Sequence, residues 1–186
     1  VIEDEAHRLG LLIDDLLQMA RYEQGRMQVK RRPTLLSAVV SGVVAKHNRR
    51  AAAKGIGLVD EVEHGIWVEA DSLRFEQVLS NLLSNALRYV PAGGEVRVVL
   101  QCVDGHAETR VIDGGPGMPP ETLKRIFEPF FQGAEGITSG AGAGLGLSIS
   151  KQLMDAMGGS ITVESCVSRG SVFVLRMPAV PPRSSD

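Results

Sequence analysis

Cysteine is nearly absent: Cys102 and Cys166 stand far apart and form no CxxC pair. That excludes a disulfide framework and a cysteine zinc site, and it predicts two buried thiols in a reducing compartment. The four histidines, His7, His47, His64 and His106, lack the short spacings that put two ligands on one helix face or across a hairpin, so no histidine metal site is expected. Positive charge is not in excess either. The formal net charge is -2 and the pI is near 6.1, so no basic patch is predicted and no nucleic acid is expected as a ligand. No stretch reaches the roughly 18 to 20 apolar residues that span a bilayer. The best candidate, residues 35–44, is too short and contains serines. This segment is therefore expected to make no membrane contact. An initiator Met and a signal-peptide pattern are also lacking at Val1, which predicts a piece of a longer protein whose remainder could hold a sensor or a membrane segment.

What is present is enough for a core. Hydrophobic residues make up 44% and charged residues 23% of 186 positions, which places the chain among globular proteins of one domain with an appendage or two small domains. In residues 1–23, Ile2, Ala6, Leu9, Ile13, Leu16 and Ala20 alternate steps of four and three. That is a heptad seam. Leu12, Leu17 and Met19 widen it toward a helical bundle. Such a helix, about 35 Å long, needs partner helices, and dimerisation supplies them. Gly25 and the basic run Lys30, Arg31, Arg32 before Pro33 read as an exposed connector, with a boundary at residues 25–34.

Beyond Pro33 the periodicity predicts a helix over 34–54 with Leu36, Val39, Val40, Val43 and Val44 on one side. Strands are predicted at 56–62 and 66–69, then a helix over 73–89 capped by Asp71 or Ser72, with Val78, Leu79, Leu82, Leu83 and Ala86 buried. Further strands are expected at 95–103 and 107–113, helices at 120–127 and 145–157, and a closing strand pair at 160–165 and 171–177. The pattern reads as an α+β fold, a two-layer α/β sandwich with a mixed sheet and helices on one face.

Three segments in fixed order carry the chemistry: NLLSNALRY (81–89), DGGPGM (113–118) and GAGLGLSI (142–149). Asn81 and Asn85 are four residues apart on one helix face, with Arg88 and Tyr89 a turn further on. A neutral amide oxygen suits Mg²⁺ already neutralised by a triphosphate, which makes Asn85 the candidate metal ligand and Arg88 a charged donor to phosphate. Asp113, at the end of a strand, is acceptor-only when ionised and matches the amino group of adenine rather than the carbonyl of guanine. Gly115 and Gly117 would let backbone approach the base. Gly142, Gly144 and Gly146 stand at a helix start whose N–H groups can face phosphates. No GK[ST] follows, and the Rossmann spacing is missing, so neither a P-loop nor a dinucleotide fold is indicated.

These segments resemble the N, G1 and G2 boxes of sensor histidine kinase catalytic domains, in the ATPase superfamily that also holds gyrase B, Hsp90 and MutL. FEPFF (127–131) resembles the F box, and residues 5–25 resemble the second helix of that family's dimerisation and phosphoacceptor domain. The resemblance implies a Bergerat ATP-binding fold over 31–180, preceded by a truncated bundle helix and linker at 1–30 and followed by a disordered tail at 181–186. It implies ATP and Mg²⁺ as cofactors, with Asn85 on the metal. Asn81, Arg88, Tyr89, Asp113, Gly115, Gly117, Met118, Phe130, Gly142, Gly144, Leu145, Gly146 and Leu147 line the nucleotide, and residues 132–143 form a lid. It further implies a homodimer through the bundle, a response-regulator receiver domain as partner, and a cytoplasmic location whatever anchors the parent protein. The lid carries no Arg or Lys, which shifts the expected γ-phosphate charge onto Arg88. Gly114 and Ala143 also depart from the common pattern, which has a polar residue and a Ser or Thr there. His7 is followed by Arg8 and Leu9, with no proline before Pro33, unlike the family's phosphoacceptor. The acceptor histidine is thus expected outside this chain, no catalytic residue is identifiable within it, and autophosphorylation is not expected from it alone. Two other readings fit the ATP site: a non-catalytic signalling module of the same fold, and an anti-sigma-type serine kinase, which explains the heptad helix poorly.

Overall fold

Alternation builds the sheet. In β4 (Glu95–Val103), Val96, Val98 and Leu100 are buried while Glu95 and Arg97 are exposed. In β5 (His106–Asp113), Ala107, Thr109, Val111 and Asp113 share the inward parity. The computed structural model describes residues 28–132 and 143–181. The expected bundle helix, most of the lid with Gly142, and the tail past Pro181 lie outside the described residues.

β5 pairs antiparallel with β4 on one side and with β7 (Gly170–Val180) on the other. The far edge of β7 carries β6 (Ser160–Cys166) and then, at its C-terminal end, β3 (Trp67–Ala70). β1 (Arg32–Leu35) closes that side against β3, and β2 (Gly57–Val62) runs parallel to β4. The sheet is therefore mixed, in the order β1-β3-β7-β5-β4-β2 with β6 beside β7.

Three helices form the second layer: α1 (Leu36–Ala53), α2 (Ser72–Tyr89) and, after the short α3 (Pro120–Leu123), α4 (Gly146–Ala156). α2 packs between the other two. Its Phe75, Val78, Leu79, Leu82, Leu83, Ala86 and Leu87 are buried in one core with Leu36, Val40, Val43 and Val44 of α1 and Ile149, Leu153 and Met154 of α4. Asp71 starts α2 as expected: its Oδ1 accepts from the N–H of Arg74 at 3.3 Å. The helix stops at Val90, which is extended (φ -70°, ψ 129°) because Pro91 disfavours the helical region for the residue before it.

Four expectations are corrected. The helix expected from residue 34 begins at Leu36, because residues 32–35 form β1, an edge strand in which Pro33 is tolerated. The connector before it is exposed, as expected, and it is also anchored. The N–H of Lys30 donates to Asp71 Oδ2 at 2.9 Å, and Arg31 Nη1 donates to the carbonyl of Met157 at 3.2 Å, at the negative end of α4. The helix expected over 120–127 stops at Leu123 and continues as tight turns, with the N–H of Arg125 on Thr122 O and that of Glu128 on Arg125 O. β7 runs to Val180 rather than Met177, since β3 supplies partners for Ala179 and Val180. Finally, Cys102 and Cys166 are exposed free thiols, not buried ones. Cys102 has the inward parity but lies near the end of β4, whereas Cys166 ends β6 on the outward face it shares with Ser160, Thr162 and Glu164.

Replacing Asp71 with Ala removes the α2 cap and the anchor of Lys30 together. It is expected to cost about 0.5–2 kcal/mol in urea unfolding, and an unchanged midpoint would show that the cap is idle.

Candidate functional site

The inward parity of β5 delivers Asp113 to the helix side of the sheet at the strand's end, where it is 9% exposed. Burial pushes its carboxyl pKa up; the N–H of Gly115, and the backbone and hydroxyl of Ser171, partly oppose that by bonding the ionised form. Gly115 donates to Oδ1 at 2.9 Å. A Cβ on Gly115 would sit 2.7 Å from that oxygen and 3.8 Å from the carbonyl carbon of Tyr89. The loop after Asp113 therefore abuts the C-terminal end of α2. Gly117 has φ +69°, and a Cβ there would lie 1.9 Å from Cys166 O. Its lack of a side chain admits the protein's own backbone. The N–H of Met118 donates to Ser165 Oγ at 2.9 Å, and its side chain packs on the core.

The other end of the α2 face meets α4. Asn81 Nδ2 donates to Ser150 Oγ at 3.0 Å, and Ser150 donates to Gly146 O at 2.8 Å. A Cβ on Gly146 would lie 2.5 Å from Asn81 Oδ1, so only glycine lets the start of α4 approach so closely. That helix has no side-chain cap, which leaves its first N–H groups and positive end available to an anion. Leu145, 1% exposed, is a core anchor; Leu147 is partly buried against the same core. Gly144 (φ +72°) presses on the F segment, with a built Cβ 2.6 Å from Phe131 O and 2.9 Å from the Phe130 carbonyl carbon. Phe130 itself is 58% exposed and borders an open depression of about 440 Å³ with Arg125, Pro129, Phe131 and Gln132. Arg125 stacks 4.5 Å over the Phe131 ring.

Between the two ends stand the groups that remain uncommitted. Asn85 is half-buried and makes no hydrogen bond among the described residues, and exposed Arg88 makes no ion pair among them. Asn81 and Tyr89 are eight residues apart, about 12 Å along the helix. A carboxylate acceptor thus lies near one end of the strip and a helix N-terminus at the other. Among the described residues no group of three His, Cys, Asp or Glu side chains could hold a metal. Asn85 alone suits a hard ion that takes most of its oxygens from phosphate and water.

Sequence reading missed Ser150, Ser165 and Ser171. Ser150 could have been found, since it lies four residues past Gly146 on the same helix. The two hairpin serines carry no signal until the register of β6 on β7 is known.

Sheet, helical layer and polar strip define the class: an ATPase-type two-layer sandwich of the Bergerat kind. Residues 70–181 match the family described as "Histidine kinase-, DNA gyrase B-, and HSP90-like ATPase", and the chain belongs to it. Among curated relatives, the sensor protein SrrB of Staphylococcus aureus (strain N315) is 31% identical over 180 residues, 96% of this chain and 31% of that protein. The chain thus spans about a third of the length of the curated relatives it matches. Full-length ShkA, solved in complex with AMPPNP, is 30% identical with a TM-score of 0.83, covering 97% of this chain and 38% of that one. Histidine kinase ThkA, solved in complex with the response regulator protein TrrA, is 26% identical with a TM-score of 0.75, covering 97% of this chain and 50% of that one.

With its pKa raised in the folded state, Asp113 favours folding while protonated, and that contribution is lost as pH rises from the unfolded Asp value of about 3.9 through the folded value. The stability of wild type relative to Asp113→Asn should therefore fall over that window in urea titrations at stepped pH. A pH-independent difference would show that burial does not perturb this carboxyl.

Proposed function

We propose that this chain is the ATP-binding catalytic module of a sensor histidine kinase. The observation that carries the reading is the strip on α2, where uncommitted Asn85 and Arg88 lie between Asp113 and the uncapped start of α4. In this reading Asp113 and the Gly115 to Met118 loop receive adenine, and the N-terminus of α4 with Asn81 and Arg88 receives the phosphates. Asn85 holds Mg²⁺, whose charge neutralises phosphate oxygens. Gly142 and the segment after Gln132 cover the nucleotide.

The chain's own contribution is positioning and charge. Asp113 orients the base, α4 and Arg88 orient the triphosphate, and the γ-phosphoryl group is presented to an imidazole nitrogen outside residues 1–186. The phosphoryl group then passes to an aspartate on a response regulator, a reading supported by ThkA having been solved with such a protein. Residues 1–30 form part of a homodimeric bundle, 31–180 the catalytic domain and 181–186 a tail. The module works in the cytoplasm.

Asn85→Ala is expected to abolish Mg-ATP binding in calorimetry while leaving the unfolding midpoint close to wild type; unchanged affinity would overturn the site assignment. Incubating the longer parent protein with γ-labelled ATP should yield acid-labile phosphate. Its absence, with ATP still bound, would favour a nucleotide-dependent switch of the same fold without kinase activity.

A further inference from the structure

The loop that follows Asp113 is held from behind by the β6–β7 turn and the residues that flank it. Ser165 Oγ accepts from the N–H of Met118 at 2.9 Å and lies 2.7 Å from Gly170 O and 3.1 Å from Ser171 Oγ. The N–H of Ser168 donates to Pro116 O at 2.6 Å. Gly117 rests on the Cys166 carbonyl, and Gly170 (φ +85°) rests on the Asp113 carbonyl, 1.9 Å from where a Cβ would stand. Ser171 bonds the Asp113 carboxylate through both its N–H and its hydroxyl.

Hydrogen counting orders this network. An ionised carboxylate only accepts, so the one hydrogen of the Ser171 hydroxyl points at Asp113. Ser171 Oγ can then serve Ser165 only as an acceptor. The Ser165 hydrogen goes to Gly170 O at 2.7 Å, the shorter of its two contacts, while one of its lone pairs takes the Met118 N–H. Ser165 thus ties the Met118 N–H to the carbonyl of Gly170, the residue that rests on the Asp113 backbone, and it touches Ser171 Oγ beside the carboxylate. Ser165 is the joint. It touches both the glycine loop, through the Met118 N–H, and the Ser171 hydroxyl.

We propose that Ser165 is a specificity-determining positioning residue: its hydroxyl fixes the 114–118 loop against the Asp113 carboxylate and so enforces the preference for adenine over guanine. This rests on the reading of Asp113 as the base acceptor. Adenine offers an amino hydrogen to that carboxylate, whereas guanine would set a carbonyl against it. The distinction holds only while the carboxylate keeps one orientation and the loop cannot back away. Without the Ser165 hydroxyl, the Met118 N–H loses its partner and the loop loses its tie to Gly170 O, which also loosens the Gly115 N–H that holds the carboxylate. The carboxylate is then free to turn and the loop to shift.

The test measures ATP and GTP affinities of the full chain for wild type, Ser165→Ala and Ser165→Thr, with the unfolding midpoint recorded for each. Wild type should prefer ATP. Ser165→Ala should weaken ATP binding about five- to tenfold, as expected for one buried hydrogen bond, and should lower the ATP-to-GTP affinity ratio. Ser165→Thr, which keeps the hydroxyl, should restore the ratio even if its midpoint differs from wild type. An unchanged ratio in the Ala variant, or equal losses for both nucleotides, would overturn the proposal while leaving the nucleotide site intact. A wild-type chain that binds neither nucleotide would overturn the site reading itself, and the role of Ser165 with it.

Discussion

α2 is bound on two sides at once, and the rest of the molecule is arranged around that constraint. Seven of its side chains, from Phe75 to Leu87, are buried in the core, which fixes the helix in rotation as well as in position. Because residues four apart share a face, fixing the apolar stripe also fixes Asn81 and Asn85 on the stripe beside it. Asn81 then receives α4 through Ser150 and Gly146. At the far end the backbone of Tyr89 receives the loop that follows Asp113. The hydrophobic burial that stabilises the domain therefore also spaces the two ends of the polar strip. No separate scaffold is needed.

The glycines make the second layer of the same argument. Gly115, Gly117, Gly144, Gly146 and Gly170 each lie where a Cβ would meet another part of the protein at less than 3 Å, a distance that close packing does not tolerate. Their clustering around the strip means that the loops are drawn against one another before any ligand arrives. Asp113 illustrates the consequence. A carboxylate with so little exposure is disfavoured by desolvation, yet Gly115 and Ser171 supply donors that hold it in one orientation. Preorganisation of this kind lowers the cost of ordering a site when a ligand binds.

Much of the fold was legible in the sequence because period-2 and period-3.6 patterns report burial directly. β4 was read to its observed bounds, α2 to within one residue, and its cap as one of two candidates, Asp71 or Ser72, of which Asp71 caps. What was misread had no local periodicity to report it. β1 is only four residues long and contains Pro33, and its strand state comes from pairing with β3, 32 to 38 residues away in the register Arg32↔Ala70 to Leu35↔Trp67. Cys102 has the parity of the buried Val96, Val98 and Leu100, yet it lies where the helical cover has ended. Parity assigns a face; it does not say how far the covering layer extends.

By itself the sequence determined the class of site: residue types and order named a carboxylate acceptor, a polar helix face and a glycine-lined helix start. These are properties of composition and short-range spacing, which the chain carries before it folds. The tertiary structure alone decided what each group is free to do. It committed Asn81 to Ser150, left Asn85 and Arg88 without partners among the described residues, and placed Leu145 in the core. It also brought Ser165 and Ser171, 47 and 53 residues past Met118, to the back of the loop that ends there, through hydrogen bonds set by the register of β6 and β5 on β7. Hydrogen-bond partnership between residues so far apart depends on strand register, and register is a property of the packed sheet rather than of any one segment.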